Sequence, residues 1–341
     1  MSQLLRFGLR LLIGCLLLLA VLQFVDVGEA AAALRNLELK WVLAAIACWL
    51  STRVLIAIKW WMLLGARRSS VSYATVQRAL CLSDYYGLLF PNSLFVDATR
   101  ALLLRHHKRG LSYLTATILA DRLVNISVMT FMSIGALCVY LLTQTEPVLT
   151  PAVVRIVAVT GFLFLAACVL VMSRRFVSLV GRTAELATDK VPGARRVQAP
   201  VKKIQAAYES ILRLFANHRT FLPILSLSAL FILARVGMIF FLFCAVGAPQ
   251  TFLLTLMLVP IINLTALLPL TVMGIGLKEG AFVVLFGGAG VPTSIALAVS
   301  LATYPVVIGL SLLLGLLASF IGPDLPKADT VARNQQGTEP G

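Results

Sequence analysis

Seven ionisable residues lie inside stretches of this chain that are otherwise apolar: Arg53, Asp97, Arg100, Asp121, Arg122, Lys278 and Glu279. Lys59, Arg78, Asp84 and Arg235 share that setting. A charge at membrane depth costs from about 3 kcal/mol upward unless it finds a partner or water, so each of these needs a cause. The eleven residues comprise seven cations and four carboxylates. If every carboxylate took one cation, three cations would remain for an anionic ligand such as a phosphate, and a lipid head group is the obvious anion in this setting. Asp97 and Arg100 are three residues apart and share a helix face. Asp121 with Arg122, and Lys278 with Glu279, are sequence neighbours whose side chains diverge on a helix and address different partners. Interhelical salt bridges that only fix packing are the competing reading for Asp97, Asp121, Arg122, Lys278 and Glu279. Lys59, about six residues from the basic end of its span, is expected to snorkel to that end.

Two broken apolar segments position these groups. The first runs from Leu88 to Arg100 through Pro91 and Ser93, and the second from Leu267 to Gly280 through Pro269 and Thr271. Each passes from apolar residues into a proline, a hydroxyl two positions later, and then charges of both signs. Ser93 and Thr271 are placed to cap freed amides. Unpaired N–H groups at broken helix ends are suited to phosphate oxygens, and Gly274, Gly276 and Gly280 would let backbone approach a ligand closely. Matching breaks in the two halves of a membrane chain point to a transport site built from discontinuous helices.

Composition sets the class: of 341 residues, 60% are hydrophobic and 13% charged, far more apolar surface than a soluble core could bury. An all-α polytopic membrane protein is expected, with about six full spans near 7–25, 39–64, 113–142, 151–172, 221–247 and 294–321. The broken stretches, near 74–104 and 252–290, are expected to form two re-entrant pairs. With both termini cytoplasmic, the basic residues sort by side under the positive-inside rule. The inside receives Arg6, Arg10, Arg67, Arg68, the Arg105-to-Arg109 cluster with His106 and His107, ten Lys/Arg between Arg174 and Arg219, Lys327 and Arg333. The outside receives Arg35 and Lys40. The first pair then enters from the cytoplasm and the second from outside, an inverted relation.

Residues 1–321 read as a single transmembrane domain without an appended catalytic module, and 322–341 as a polar, disordered cytoplasmic tail. The connection 173–220 holds Pro192-Gly193 and an amphipathic run, Val201, Ile204, Tyr208, Ile211, Leu212 and Phe215, expected to lie on the inner leaflet. Gln23 and Asp26 separate the first apolar run from Ala30–Ala32, which favours a retained span over a cleaved leader. The six cysteines show neither paired nor metal-like spacing, so no metal and no cofactor is expected. The net charge of +15 reflects topology and contact with anionic inner-leaflet lipid, not nucleic-acid binding.

The succession Pro91, Asp97, Arg100, then Asp121-Arg122, then LLPLTVMGIGLKEGAFVVLFGGAGV from Leu267 to Val291 resembles the lysylphosphatidylglycerol synthetase transmembrane, or flippase-like, family. The likeness extends from Leu39 to Phe320, and its second motif is the more specific. Phe95 and Val96 stand where that family usually has two glycines, and Lys278 where it more commonly has arginine. The resemblance implies handling or moving of a polar lipid in a bacterial cytoplasmic membrane, and the lysine-attaching soluble domain of the bifunctional members is not expected here. A lipid translocator that is not an enzyme is the leading expectation, with Arg53, Arg100, Arg122 and Lys278 contacting an anionic phospholipid or a lipid-linked glycan. Asp97, Asp121 and Glu279 would orient those cations. The alternatives are a non-transporting accessory subunit of an envelope-lipid pathway and, more weakly, a polyprenyl-phosphate transferase using Asp97 or Asp121 as base. A second copy of the chain or an envelope-pathway protein is the further partner.

Overall fold

A computed structural model describes residues 12, 15–23, 25–65, 71–89, 93–104, 111–143, 149–172, 218–265, 271 and 274–321. Eleven helices form among the described residues: α1 (Cys15–Gln23), α2 (Val27–Arg35), α3 (Leu39–Leu63), α4 (Tyr73–Leu89), α5 (Ser93–Leu104), α6 (Leu111–Thr143), α7 (Pro151–Met172), α8 (His218–Ala245), α9 (Phe252–Thr265), α10 (Leu277–Gly287) and α11 (Thr293–Phe320). Pro91, Pro269, nearly all of the 173–220 connection and the 322–341 tail lie outside the described residues.

Among the described residues, four helical stretches are long and apolar enough to cross a membrane: Leu39–Leu63, Tyr113–Thr143, Phe221–Ala245 and Thr293–Phe320. The 25 residues of α3 span about 38 Å at 1.5 Å per residue, more than the hydrocarbon thickness of about 30 Å. The sequence suggests six spans, and the difference lies in two of them. Pro151–Ala167 is a shorter apolar helix, and α1 turns by 96° into α2, so that this pair counts at most as one further span. Asp26 caps α2 just past that turn, its Oδ1 accepting from the Glu29 amide at 3.0 Å.

Tertiary contacts order the helix ends. The Glu38 amide donates to the Ala245 carbonyl at 3.0 Å, so the start of α3 meets the end of α8 and the two run antiparallel. At the other end of α3, Tyr113 Oη donates to the Leu63 carbonyl at 3.3 Å, placing the start of α6 there. Arg78 near the start of α4 donates to the Ala318 carbonyl near the end of α11 at 2.8 Å. Since α3 leads into α4 and α5 into α6 by short connections, the α4–α5 pair enters and leaves at one end of the bundle. The α9–α10 pair does so at the opposite end, where α8 finishes and α11 begins. There Thr150, just before α7, donates its amide to the Gly288 carbonyl at 3.0 Å. The members of these pairs have 17, 12, 14 and 11 residues. At 1.5 Å per residue they reach about 16–26 Å, short of a full crossing. The two broken stretches are thus inverted re-entrant pairs.

Close approach inside the first pair depends on Gly87. A Cβ on that residue would collide with Cγ2 of Val96, so the branched side chain found where the resembling family has glycine is accommodated by a glycine on the facing helix. Gly87→Ala is expected to destabilise the protein by about 1–3 kcal/mol through overpacking, and Val96→Ala in the same chain to recover most of that loss. Thermal unfolding of the purified single and double variants checks this.

Candidate functional site

The intramembrane charges separate into three groups. In the first, Lys59 is fully buried rather than snorkelling. Its Nζ lies 2.8 Å from Asp121 Oδ1, donates to Asn125 Oδ1 at 2.6 Å and to Ser228 Oγ at 3.2 Å, and sits 5.3 Å from the Phe231 ring centre. The expectation of a snorkelling lysine fails because α6 and α8 pack over its end and supply a carboxylate and two polar partners, which removes the need to reach water. Asp121 thereby belongs to a buried strut joining α3, α6 and α8.

The second group is a chain of alternating charge. Arg53 of α3 donates through Nη1 to Asp84 Oδ2 of α4. The other oxygen, Asp84 Oδ1, faces Arg100 Nη2 of α5 at 3.3 Å. Arg100 Nη1 in turn lies 3.7 Å from Asp97 Oδ1, and Arg122 Nη2 of α6 lies 2.5 Å from Asp97 Oδ2. Asp121 and Arg122 therefore turn to different partners, as neighbours on a helix must. Four helices are tied together by this chain, and the re-entrant α4–α5 pair supplies its middle.

The third group surrounds an open cavity of about 590 Å³, a volume that includes the space at its mouth. Its walls are Trp49, Thr52 and Arg53 of α3; Phe231, Arg235, Met238 and Ile239 of α8; Val259 and Asn263 of α9; Lys278 and Phe282 of α10; and Thr303 and Val307 of α11. It therefore sits at the inner tip of the second re-entrant pair, against the middles of three long helices. Three cations reach it. Arg53 stacks over Trp49 with its guanidinium carbon 4.7 Å from the ring centre. Lys278 Nζ donates to Thr303 Oγ1 at 2.6 Å and lies 5.0 Å from the Tyr304 ring centre. Arg235 is exposed although it lies mid-helix among packed neighbours, and the cavity is what it is exposed to.

Neither Arg235 nor Lys278 has a carboxylate within ion-pair distance among the described residues. Glu279 turns away from Lys278. It is fully buried, with Oε2 accepting from the Gly276 amide at 2.6 Å and Oε1 from Tyr304 Oη at 2.6 Å and Ser300 Oγ at 3.3 Å. Its work is to hold the turn into α10, where Gly274 and Gly276 adopt φ of 77° and 83°, values that a side chain would strain.

Several expected site residues fall elsewhere. Arg100 and Arg122 do not line the cavity, being engaged by Asp84 and Asp97. Thr271 Oγ1 is buried with no hydrogen-bond partner among the described residues, and the amide at the start of α10 is capped by Glu279. The space beside Gly280 is taken by Val21 of α1, whose Cγ2 would lie 3.5 Å from a Cβ there. Ser93 is the first residue of α5. Four polar cavity residues, Thr52, Arg235, Asn263 and Thr303, are absent from the site expected from sequence. Arg235 was recognisable as an intramembrane charge, but no motif marked it; Asn263 carries no charge and had no signal at all.

With this geometry in place, the comparisons add a family. A profile described as the lysylphosphatidylglycerol synthase TM region matches residues 8–317. No curated protein matches the chain.

Proposed function

The chain belongs to the lysylphosphatidylglycerol synthase TM-region family, and from that premise we propose that it is a lipid translocator that takes an anionic head group into the α3/α8/α9/α10/α11 cavity. What carries the reading is the pairing pattern. Two cations, Arg235 and Lys278, face one cavity with no carboxylate within ion-pair distance among the described residues, while four other cations are matched to Asp84, Asp97 and Asp121. Unmatched charge at membrane depth is stable where water or a ligand anion compensates it. A phosphate-bearing head group supplies that anion, Thr52 and Asn263 offer polar contacts beside it, and the lipid tails stay in the bilayer.

Inverted re-entrant pairs entering from opposite ends give alternating exposure a structural basis, since each pair can open toward its own side. We place both termini on the cytoplasmic side of a bacterial inner membrane, which puts the α4–α5 pair inward and the α9–α10 pair outward. The protein performs no bond chemistry in this reading.

Proteoliposomes containing fluorescent phosphatidylglycerol test it. The wild-type protein is expected to move the label between leaflets, followed by dithionite quenching, well above the rate in protein-free vesicles, and native mass spectrometry is expected to find an anionic phospholipid retained. Quenching no faster than in protein-free vesicles, together with retention of bulk lipid in its membrane proportions, favours an accessory role in an envelope-lipid pathway instead.

A further inference from the structure

Arg53 is shared between two places. It lines the cavity at the tip of the second re-entrant pair, and it is ion-paired to Asp84 in the first. Asp84 is itself divided, giving one oxygen to Arg53 and the other to Arg100 at 3.3 Å. Side-chain exposures of 19% for Arg53 and 14% for Asp84 leave the pair partly accessible instead of sealed in the core, with Arg53 on the cavity wall and Asp84 behind it. An arginine fork can bind two oxygen acceptors at once, but full bidentate contact with one weakens its contact with the other.

We propose that Asp84 is an internal counter-anion that competes with the ligand anion for Arg53, and so acts as the positioning residue that sets how fast the ligand is released. In the empty protein Asp84 keeps Arg53 oriented and neutralised. An entering anionic head group, held first by Arg235 and Lys278, draws Arg53 toward the cavity. Asp84 then depends more heavily on Arg100, which shifts the balance of charge within the α4–α5 pair. Release reverses the exchange: the carboxylate recaptures Arg53 and lowers the hold on the ligand. Occupancy at one re-entrant pair is thereby transmitted to the other through a single arginine. The inference rests on the translocator reading and adds a device to it.

Asp84→Asn tests the contest, because the amide keeps the shape and removes the competing charge. With fluorescent short-chain phosphatidylglycerol as probe, equilibrium binding in detergent is expected to tighten by about five- to tenfold, the share of a charged hydrogen bond set free for the ligand. Translocation in proteoliposomes is expected to show a matching fall in both KM and maximal rate, with Asp84→Glu restoring both. A merely structural aspartate gives the opposite pattern: weaker binding, or loss of rate without any change in affinity, overturns the proposal. An Arg53→Gln background should abolish the tightening, and tightening that persists there overturns it too. Where Asp84→Asn does not fold, Arg53→Lys asks the same question. A lysine point charge left to Asp84 should weaken binding and speed release, and unchanged affinity and rate count against the contest. Wild-type protein that neither binds nor moves the probe overturns the translocator reading, and this inference with it, whereas normal wild-type transport with an unresponsive Asp84 overturns the inference alone.

Discussion

Arg235→Ala is expected to lower the affinity for an anionic lipid by roughly thirtyfold and to stop measurable translocation, while leaving the lipid-free protein at least as stable as wild type. The two halves of this expectation come from one observation. Arg235 has neither an ion pair nor a hydrogen bond among the described residues and faces a cavity, so its removal breaks no polar contact that holds the fold. It removes instead one of two guanidinium groups, Arg53 and Arg235, that share the cavity wall and repel each other, which favours the folded state. In the lipid-bound protein the same side chain supplies a charged hydrogen bond worth about 2 kcal/mol, hence the thirtyfold. Thermal unfolding with and without added phosphatidylglycerol separates the two. The variant should match or exceed the wild-type midpoint without lipid and lose the upward shift that lipid gives the wild type. Arg235→Lys should retain part of that shift, since it keeps the charge and loses the planar fork. A destabilised lipid-free Arg235→Ala protein would show that the residue is structural and that the cavity is not the head-group site.

Much of this arrangement is legible in the amino-acid sequence alone. Apolar length and the distribution of Lys and Arg indicated a helical membrane protein, and the prolines at 91 and 269 with charges beyond them marked the two broken segments. Both signals are local, a property of ten to thirty consecutive residues. Pairing is not. Whether Lys59 snorkels or is buried depends on which residues of α6 and α8 arrive beside it, 66 and 169 positions further along. The charge count predicted surplus cations but gave no means of choosing among seven, and the choice rested on proximity to motifs. Motifs favoured Arg100 and Arg122, which the structure engages with aspartates, and Lys278, which it leaves without a carboxylate; Arg235, isolated in an apolar span with no motif, is the other cation without one among the described residues. The contact between Gly87 and Val96 had no sequence signature either, because two helices must fold back on each other before a missing Cβ matters.

Removing one end of the Lys59–Asp121 pair is expected to have the largest effect on stability. Lys59→Ala leaves the Asp121 carboxylate at the α3/α6/α8 junction with Asn125 Nδ2, at 3.1 Å from Oδ2, as its remaining donor among the described residues. A buried charge stripped of its partner costs about 3–5 kcal/mol, and Asp121→Ala should cost a similar amount by stranding a fully buried ammonium. The double replacement Lys59→Met with Asp121→Leu behaves differently. Both desolvation costs vanish together and apolar volume is kept, so most of the lost stability should return, less what is forfeited as Asn125 and Ser228 lose their shared partner. The unfolding midpoint of the detergent-purified variants, followed through tryptophan fluorescence, gives the cycle. Translocation by the double variant then assigns the pair. Since neither residue lines the cavity, recovered stability should bring recovered transport, and the strut is purely architectural. A double variant that is stable yet inactive would instead move Lys59 and Asp121 into the transport machinery, as a second charged station between α3 and α6 that the head group must pass.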